Sequence, residues 1–352
     1  MKNLSESEAL MAASTPTSRG GMWLLRVLCR IWFTLALLII LTVWLAGAYA
    51  SRAAYKLGLV RLKTSEDWSI IVGMWSARLL FVLCRPIIKV RHVATTGSRR
   101  SYYPWCDGAT WRLSDNEFSA APVQADAEAA QSLPRGPRPS MILINHSSFL
   151  DLFLISSLLT YRMIRDTHVR CVVAAKLTTL PCFGNGLGAF SGSFPVYFKA
   201  TEGGISGGES TSFSVDRERQ EADNARMREH VLSGGALAVC PEGTVNRAPP
   251  DLQPFRHGSF KLAIESGMAI WGIVFIGCHV CWPKGVAVGG YPCEILVSEP
   301  VHLMTPKPGM SAEMVADECR QQMQELVNHL SALQPRHRSL EPAFDSHEHA
   351  HD

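Results

Sequence analysis

A long uncharged run near the N-terminus constrains this chain more than any other feature. Residues 31–50 contain two tryptophans, a phenylalanine and many aliphatic side chains, and no charged residue. An α-helix of about 20 residues crosses the hydrocarbon core of a bilayer, so we expect a membrane helix here. A signal peptide would have a shorter apolar region, so we expect the helix to be retained. Basic residues flank both ends of the run, and the charge pattern therefore does not fix its orientation.

A second apolar segment, residues 68–90, differs from the first. Arg78 and Arg85 interrupt it, and Pro86 lies near its end. Charged side chains are costly in hydrocarbon. The segment is therefore expected to form an interfacial or re-entrant helix rather than a second complete span.

Composition divides the remaining chain. Residues 93–138 are polar and rich in serine, alanine, proline and acidic residues, which indicates an insertion or linker. The last residues carry several histidines, for which a solvated, disordered tail is favoured over a metal site. The expected parts are an N-terminal tail (1–30), membrane-anchoring helices (31–92), the insertion or linker (93–138), a globular domain (139–334) and the histidine-rich tail (335–352).

In the globular domain, short apolar runs alternate with helical patterns. This alternation is typical of an α/β fold in which helices flank a sheet. A charged helix and an amphipathic closing helix are predicted over residues 216–232 and 312–333. The predicted strands include residues 141–144, 169–174, 194–198 and 236–240.

Net charge limits the possible partners, and cysteine content limits the possible compartment and metal sites. A net charge of +3 over 352 residues gives no sign of a nucleic-acid partner. The ten cysteines are scattered, and several lie in apolar runs, which favours core thiols in a reducing compartment. The close pair Cys278 and Cys281 has no second pair at zinc-site spacing, so ordinary core thiols are expected there.

The stretch ILINHSSFLD raises a geometric question about His146 and Asp151. On one regular helix their side chains would point about 140° apart, too far to cooperate. If residues 141–144 are instead a strand and a helix follows the serines, His146 lies on the turn and Asp151 in the first helical turn. The carboxylate could then hold one imidazole nitrogen while the other faces a substrate; an exposed histidine at an ordinary junction is the alternative.

A second group of polar residues follows the strand that ends near Cys240. Gly243 permits close backbone approach, while Glu242 and Thr244 add polar side chains. Arg247 and Arg256 could add positive charge to form a phosphate pocket, although a basic surface loop would have the same pattern.

These motifs, in this order, resemble those of the glycerolipid acyltransferases typified by 1-acylglycerol-3-phosphate acyltransferase. NHSSFLD is similar to the first family motif and supplies Asn145, His146 and Asp151. AAKLTTLPCFGNGLGAFSGSFPVYFK resembles the stretch leading to the second motif, VCPEGT resembles the third, and LQPFRHGSFKLAIESG resembles the segment after it. The resemblance covers roughly residues 141–275, so residues 139–334 are expected to form the acyltransferase domain.

The resemblance implies an acyl-CoA-dependent enzyme that acylates the free hydroxyl of lysophosphatidate and makes phosphatidate. His146 would be the general base, and Asp151 would orient its imidazole. Acyl-CoA would be a co-substrate, and no cofactor or metal is expected. The expected partners are a lipid bilayer, acyl-CoA and a lysophospholipid, and the expected location is the endoplasmic reticulum membrane with a cytosol-facing site. The implied substrate-binding residues are Asn145, Lys176, Lys199, Glu242, Gly243, Thr244, Arg247 and Arg256.

Departures from the family pattern leave the acceptor open. Lys199 stands where the second motif usually ends in arginine, Val245 where an arginine usually follows the third motif, and Gly272 where the fourth has proline. Glycerol-3-phosphate or another lysophospholipid is therefore an alternative acceptor. Two further alternatives are a non-catalytic lipid-binding membrane protein and a metal hydrolase that uses His146 with His257 or the tail histidines.

Overall fold

The computed structural model describes residues 19–93, 99–101, 139–180, 183–198, 215–246 and 249–333. Most of the predicted insertion and all of the histidine-rich tail lie outside these residues. The helices are α1 (Arg19–Lys56), α2 (Leu62–Leu83), α3 (Leu150–Leu158), α4 (Tyr161–Thr167), α5 (Ala175–Thr178), α6 (Phe183–Asn185) with a π-helical turn (Gly186–Phe190), α7 (Arg217–Leu232), α8 (Gly258–Ser266), α9 (Cys278–Cys281) and α10 (Ala312–Leu333). The strands are β1 (Ile88–Val93), β2 (Arg99–Ser101), β3 (Ser140–Ile144), β4 (Arg170–Ala174), β5 (Phe194–Val196), β6 (Leu237–Val239), β7 (Ala269–Ile273), β8 (Phe275–Ile276), β9 (Cys293–Ser298) and β10 (Val301–Met304).

A six-stranded sheet organises the globular part, with strand order β10-β7-β3-β6-β4-β5. The strands from β7 to β5 are parallel to their neighbours, and β10 is an antiparallel edge strand. In parallel strands the carboxyl ends share one edge of the sheet, where open α/β sheets bind ligands. The predicted α/β fold is confirmed, and the predicted motifs follow strands that end at this edge.

The two faces of the sheet are buried in separate apolar cores. Ile142 and Ile144 of β3 belong to one core, and Met141 and Leu143 belong to the other. This assignment follows the period of two along a strand. Helices cover both faces, which explains why β3 is almost uniformly apolar.

Helices α1 and α2 form an antiparallel hairpin that shares the first of these cores. Phe33 and Ile40 of α1 and Leu80 of α2 are buried in the same cluster as Ile142 and Leu150. Close approach between the two helices depends on Gly47, since a Cβ there would lie 2.6 Å from a methyl group of Val72. The hairpin is therefore part of the globular core and not a separate attachment.

The hairpin differs from its predicted elements in two respects. Helix α1 begins before the predicted span, and its Trp23–Lys56 stretch is the one helical segment in the described ranges that is long and apolar enough to cross a membrane. Helix α2 ends at Leu83, and the end of the second apolar segment belongs instead to strand β1. Pro86 disfavours continuation of the helix, and Lys89 alternates with the buried Ile88 and Val90, as in a strand.

Charged residues of α2 bind the globular part. Arg78, which interrupts the apolar segment, donates to the backbone carbonyls of Ser157 and Leu159 at 3.0 and 2.7 Å, at the C-terminal end of α3. A cation is favoured there because the carbonyls at a helix C-terminus carry partial negative charge.

A buried ion cluster joins the start of α2 to the start of β4. The guanidinium of Arg170, only 2% exposed, bonds with Asp67 at 2.9 Å and Glu66 at 3.0 Å. Asp67 also contacts Nδ1 of His168 at 2.7 Å. One cation therefore holds two carboxylates of the hairpin against the sheet.

Replacing Arg170 with leucine should destabilise the fold by about 3–5 kcal/mol, because the variant leaves two poorly exposed carboxylates without their cation. Thermal unfolding of the purified protein in detergent measures this loss. Arg165→Leu is the matched control, since Arg165 pairs with Asp166 at the surface, with side chains 61% and 41% exposed. It should leave the midpoint nearly unchanged. Equal midpoints for the two variants would contradict a structural role for the buried cluster.

Candidate active site

A histidine and an aspartate meet at the carboxyl end of β3. Nδ1 of His146 lies 3.2 Å from Oδ2 of Asp151. The carboxylate is 2% exposed, whereas the imidazole is 22% exposed. The turn before α3 thus brings together two residues that a continuous helix would separate, and it leaves Nε2 as the imidazole nitrogen not held by Asp151.

The same aspartate oxygen is fixed by the backbone of the turn. The N–H groups of Ser147 and Ser148 donate to Asp151 Oδ2 at 2.7 and 2.8 Å. Hydrogen bonds to a carboxylate are stronger than those between neutral groups. Asp151 therefore orients the imidazole from a position set by the main chain.

A second carboxylate, that of Glu242, holds the turn from the neighbouring strand β6. Its Oε1 accepts the backbone N–H of His146 at 2.9 Å, and its Oε2 accepts that of Gln253 at 3.0 Å. Burial raises the pKa of Glu242, and the two backbone hydrogen bonds oppose that rise. Both oxygens of this predicted substrate ligand are engaged within the protein, so its geometry is that of a positioning residue.

Two asparagines complete the frame around His146. The backbone N–H of Asn246 donates to the carbonyl of His146 at 2.6 Å. Asn145 exchanges two hydrogen bonds with the backbone of Phe275, at 2.8 and 2.7 Å, and is 4% exposed. Direct contact between Asn145 and a substrate would require this pair of bonds to rearrange.

Gly243 and Arg256 form a close pair beside this frame. Gly243 has a φ of 72°, and a Cβ there would lie 2.6 Å from Cδ of Arg256. The glycine therefore allows the arginine to cross the backbone, where its guanidinium lies 5.7 Å from the ring centroid of Phe198. Burial lowers the pKa of Arg256, yet an arginine remains charged at neutral pH. A half-buried cation consequently lies next to the loop that holds His146.

The remaining predicted site residues lie at the same edge or outside the described residues. Thr244 donates its hydroxyl to the side chain of Gln253 at 3.2 Å. Lys176 is exposed on α5, directly after β4. Lys199 and Arg247 fall outside the described residues, so their roles stay predictions.

Four residues of the site were not singled out from the sequence. Gln253 and Asn246 are uncharged amides, and each contributes one backbone N–H as well as its side chain, so no charge or spacing in the sequence marks them. Trp282 and Lys284 come from the loop after α9, far along the chain. The Trp282 carbonyl accepts the Ser148 hydroxyl at 2.8 Å, and Lys284 donates to the Val245 carbonyl at 2.7 Å.

The described residues offer little for a metal ion. No group of three or more metal-binding side chains lies close enough to hold one in the described part of the chain. His257 is exposed and lies 3.9 Å from Glu313 on α10. The close pair Cys278 and Cys281 lies in α9 with both thiols buried. Burial, and to a smaller extent the negative charge of Asp151, raises the pKa of Cys278. These cysteines are free core thiols.

A family model and two curated relatives resemble this sequence. Residues 126–276 match the family model described as Acyltransferase. The chain is 23% identical over 211 residues to a chloroplastic 1-acyl-sn-glycerol-3-phosphate acyltransferase of Brassica napus, covering 59% of this chain and 52% of the relative. A chloroplastic enzyme of the same description from Arabidopsis thaliana is 22% identical over 204 residues, covering 57% and 48%. The chain thus spans about half the length of the curated relatives it matches.

The fold also resembles a solved structure. The crystal structure of the 1-acyl-sn-glycerophosphate acyltransferase PlsC from Thermotoga maritima covers 87% of this chain and 98% of its own, with a TM-score of 0.52 and 16% identity. At that identity the likeness shows a common fold. Residues 126–276 therefore carry an Acyltransferase domain, and this match, the curated relatives and the common fold together support a PlsC-like glycerolipid acyltransferase.

Proposed function

We propose that this protein transfers the acyl group of acyl-CoA to the free hydroxyl of lysophosphatidate and so makes phosphatidate. The observation that carries the proposal is the His146–Asp151 pair, whose carboxylate is fixed by two backbone N–H groups at the carboxyl edge of a parallel sheet. The match to the Acyltransferase family model supports the reaction class, and the cationic surroundings favour a phosphate-bearing acceptor.

The proposed mechanism needs one proton carrier. Nε2 of His146 takes the proton of the acceptor hydroxyl, and Asp151 stabilises the resulting imidazolium. The acceptor oxygen then bonds to the thioester carbonyl carbon. Collapse of the tetrahedral intermediate breaks the carbon–sulfur bond, and the CoA sulfur takes the proton from His146. Every proton is accounted for without a covalent enzyme intermediate, and orientation supplies much of the rate enhancement because the thioester is already activated.

The acceptor phosphate would bind at the cationic side of the loop after β6. Arg256 lies against Gly243, one residue from Glu242, which itself holds His146. Lys176, Lys199 and Arg247 remain proposed contributors from the same region. An arginine suits a phosphate because its planar fork donates two parallel hydrogen bonds.

A small apolar cavity of about 60 Å³ borders α3, with room for a short part of a hydrocarbon chain and not for a whole acyl group. It lies between the hairpin and the sheet, and it is lined by Ile40 and Trp44 of α1, by Leu152 and Phe153 of α3, and by Ala238 of β6. Leu152 and Phe153 directly follow Asp151. An acyl chain whose polar end lies at His146 would thus find apolar side chains on the hairpin side of α3.

We also propose that the hairpin lies along a bilayer surface and does not cross the bilayer. The globular part contacts α1 at Arg30, which donates to the Val288 carbonyl, and at Tyr49, which meets Phe190 ring to ring. These positions are about 29 Å apart along the helix, nearly the thickness of the hydrocarbon core. A spanning α1 would draw these two segments of the globular part into the hydrocarbon. The opposite face of α1 exposes large apolar residues, including Leu28, Leu35, Leu38 and Ile39.

The expected compartment of the protein is the endoplasmic reticulum membrane. Both curated relatives are chloroplastic by name, so they do not support the endoplasmic reticulum. That expectation rests on the supply of acyl-CoA alone.

The function is tested by offering oleoyl-CoA carrying a labelled oleoyl group with glycerol-3-phosphate, lysophosphatidate or other lysophospholipids to the purified protein. We expect transfer to lysophosphatidate and a fall in kcat of about 10²–10⁴-fold in His146→Ala, because the general base is lost. His257→Ala, an exposed histidine, is the control and should retain activity. Undiminished turnover in His146→Ala would overturn the mechanism. Product from another acceptor alone would overturn the assigned substrate, and no product from any acceptor by folded protein would favour a lipid-binding role.

Replacing Glu242 with glutamine should lower kcat by about ten-fold or more while leaving both KM values nearly unchanged. The amide can accept one backbone N–H, but its NH₂ group opposes the other, so the loop that carries His146 shifts. Steady-state kinetics measures the split between kcat and KM. Glu265→Gln, at a surface ion pair, should behave as wild type. A large rise in the lysophosphatidate KM with normal kcat would instead show direct acceptor binding by Glu242.

The pH dependence of stability provides a second readout for Glu242. Because burial raises its pKa, the folded protein binds this proton more tightly than the unfolded chain does. The corresponding stabilisation is fully present below the ordinary glutamate pKa and is lost as the pH rises through the folded value. Glu242→Gln should lack this component of the pH profile, whereas Glu265→Gln should keep it.

The orientation of the hairpin is tested by cysteine labelling in sealed vesicles. Trp23→Cys and Leu57→Cys place exposed thiols near opposite ends of α1, and Lys261→Cys marks the globular part. A membrane-impermeant maleimide should label all three variants from the same side, above the wild-type background. Labelling of either α1 position only after permeabilisation would show that the helix crosses the bilayer.

A further inference from the structure

A lysine outside every motif lies beside the loop that carries the third motif. Lys284 belongs to the segment between α9 and β9, and it follows Trp282 by two residues. Its Nζ donates to the backbone carbonyl of Val245 at 2.7 Å. The lysine is exposed, so the hydrogen bond gives a solvent-accessible cation a defined position.

That position lies close to the base of the proposed reaction. The residue after Val245 is Asn246, whose backbone N–H donates to the carbonyl of His146 at 2.6 Å. The carbonyl and the N–H of one peptide unit therefore make both contacts, the first with Lys284 and the second with His146. The peptide that places the ammonium also holds the turn that carries His146.

The segment that carries Lys284 is fixed to the same turn. The carbonyl of Trp282 accepts the Ser148 hydroxyl at 2.8 Å, and its ring centroid lies 5.9 Å from that of Phe149. The indole N–H of Trp282 donates to the carbonyl of Val286 at 2.9 Å, and this hydrogen bond forms a short closed loop that contains Lys284. The lysine thus lies on a loop that is attached at Trp282 to the turn after β3 and at Lys284 to the loop after β6.

The location suits the chemistry of a phosphate monoester. In lysophosphatidate the phosphate lies on the carbon next to the one that bears the free hydroxyl, so a cation that binds it must lie near the general base. Val245 is apolar and 9% exposed, and it supplies no charge of its own. An ammonium binds phosphate as a point charge with three N–H donors.

Resting on the proposed function, we propose that Lys284 binds the phosphate of the acceptor. Val245 takes part through its backbone carbonyl, which places the ammonium. Arg256, on the Gly243 side of the same loop, supplies a second cation. The acceptor phosphate is therefore held from two chain segments, residues 252–256 and 282–286, with His146 beside them.

Binding of labelled lysophosphatidate in detergent micelles tests the assignment without turnover. In a His146→Ala background, Lys284→Met should weaken binding about ten-fold or more, the effect of losing one charge-assisted hydrogen bond. Lys284→Arg should restore most of the affinity because it keeps the charge. Lys307→Met, an exposed lysine on the loop before α10, is the control and should bind normally. Equal affinity in Lys284→Met and its parent would overturn the assignment.

Kinetics separates this assignment from the proposed function. In the otherwise wild-type protein, Lys284→Met should raise the lysophosphatidate KM by about ten-fold or more and leave the acyl-CoA KM unchanged. An unchanged lysophosphatidate KM, with turnover that still depends on His146, would overturn the lysine assignment alone. Binding that depends on Lys284, without turnover of lysophosphatidate by the wild-type protein, would support the phosphate site and overturn the proposed reaction.

Discussion

The carboxylate of Glu242 joins the two loops on which the site depends. One oxygen accepts a backbone N–H from the turn after β3, and the other accepts one from the segment before α8. A buried carboxylate is costly unless its oxygens are satisfied, and here main-chain donors from two segments satisfy them. The turn that carries His146, the segment before α8 and the sheet edge can therefore take few positions relative to one another.

The parallel sheet explains which part of the candidate site can be predicted from the sequence. Strand β3 is apolar and ends two residues before His146, and β6 is apolar and ends three residues before Glu242, so the sequence indicates both strand ends. Only the fold shows that β3 and β6 are neighbours. Resemblance to a known family assigned the motifs to one site, but it could not distinguish a residue that touches substrate from one that holds the main chain. The two hydrogen bonds of Asn145 to Phe275 illustrate the distinction, since nothing in the local sequence marks the partner 130 residues away.

Elements with weak or mixed patterns escaped prediction for identifiable reasons. Strand β1 follows helix α2 after a short turn, and its Ile88, Val90 and Val93 extend the apolar composition of the helix without a gap. Composition alone therefore merges the two elements, whereas Pro86 and the exposed Lys89 separate them. Arg78 is a second example of a residue whose role the local sequence does not reveal. A charge within an apolar segment was interpreted as a sign of shallow membrane contact, and the structure shows that it caps a helix of the globular part.

The core shared by the hairpin and the sheet makes the hairpin inseparable from the sheet that carries the His146 turn. Phe33, Ile40 and Leu80 fill the same apolar cluster as Ile142 and Leu150, and Phe33 also meets the ring of Trp282 edge to face at 5.7 Å. Deleting the first two helices to obtain a shorter soluble form would strip one face of the sheet and remove a neighbour of the loop that touches the catalytic turn. Such a truncated chain would expose an apolar face at the surface and aggregate. In this architecture the apolar hairpin is also a wall of the globular part, so the protein must be purified with both helices in place.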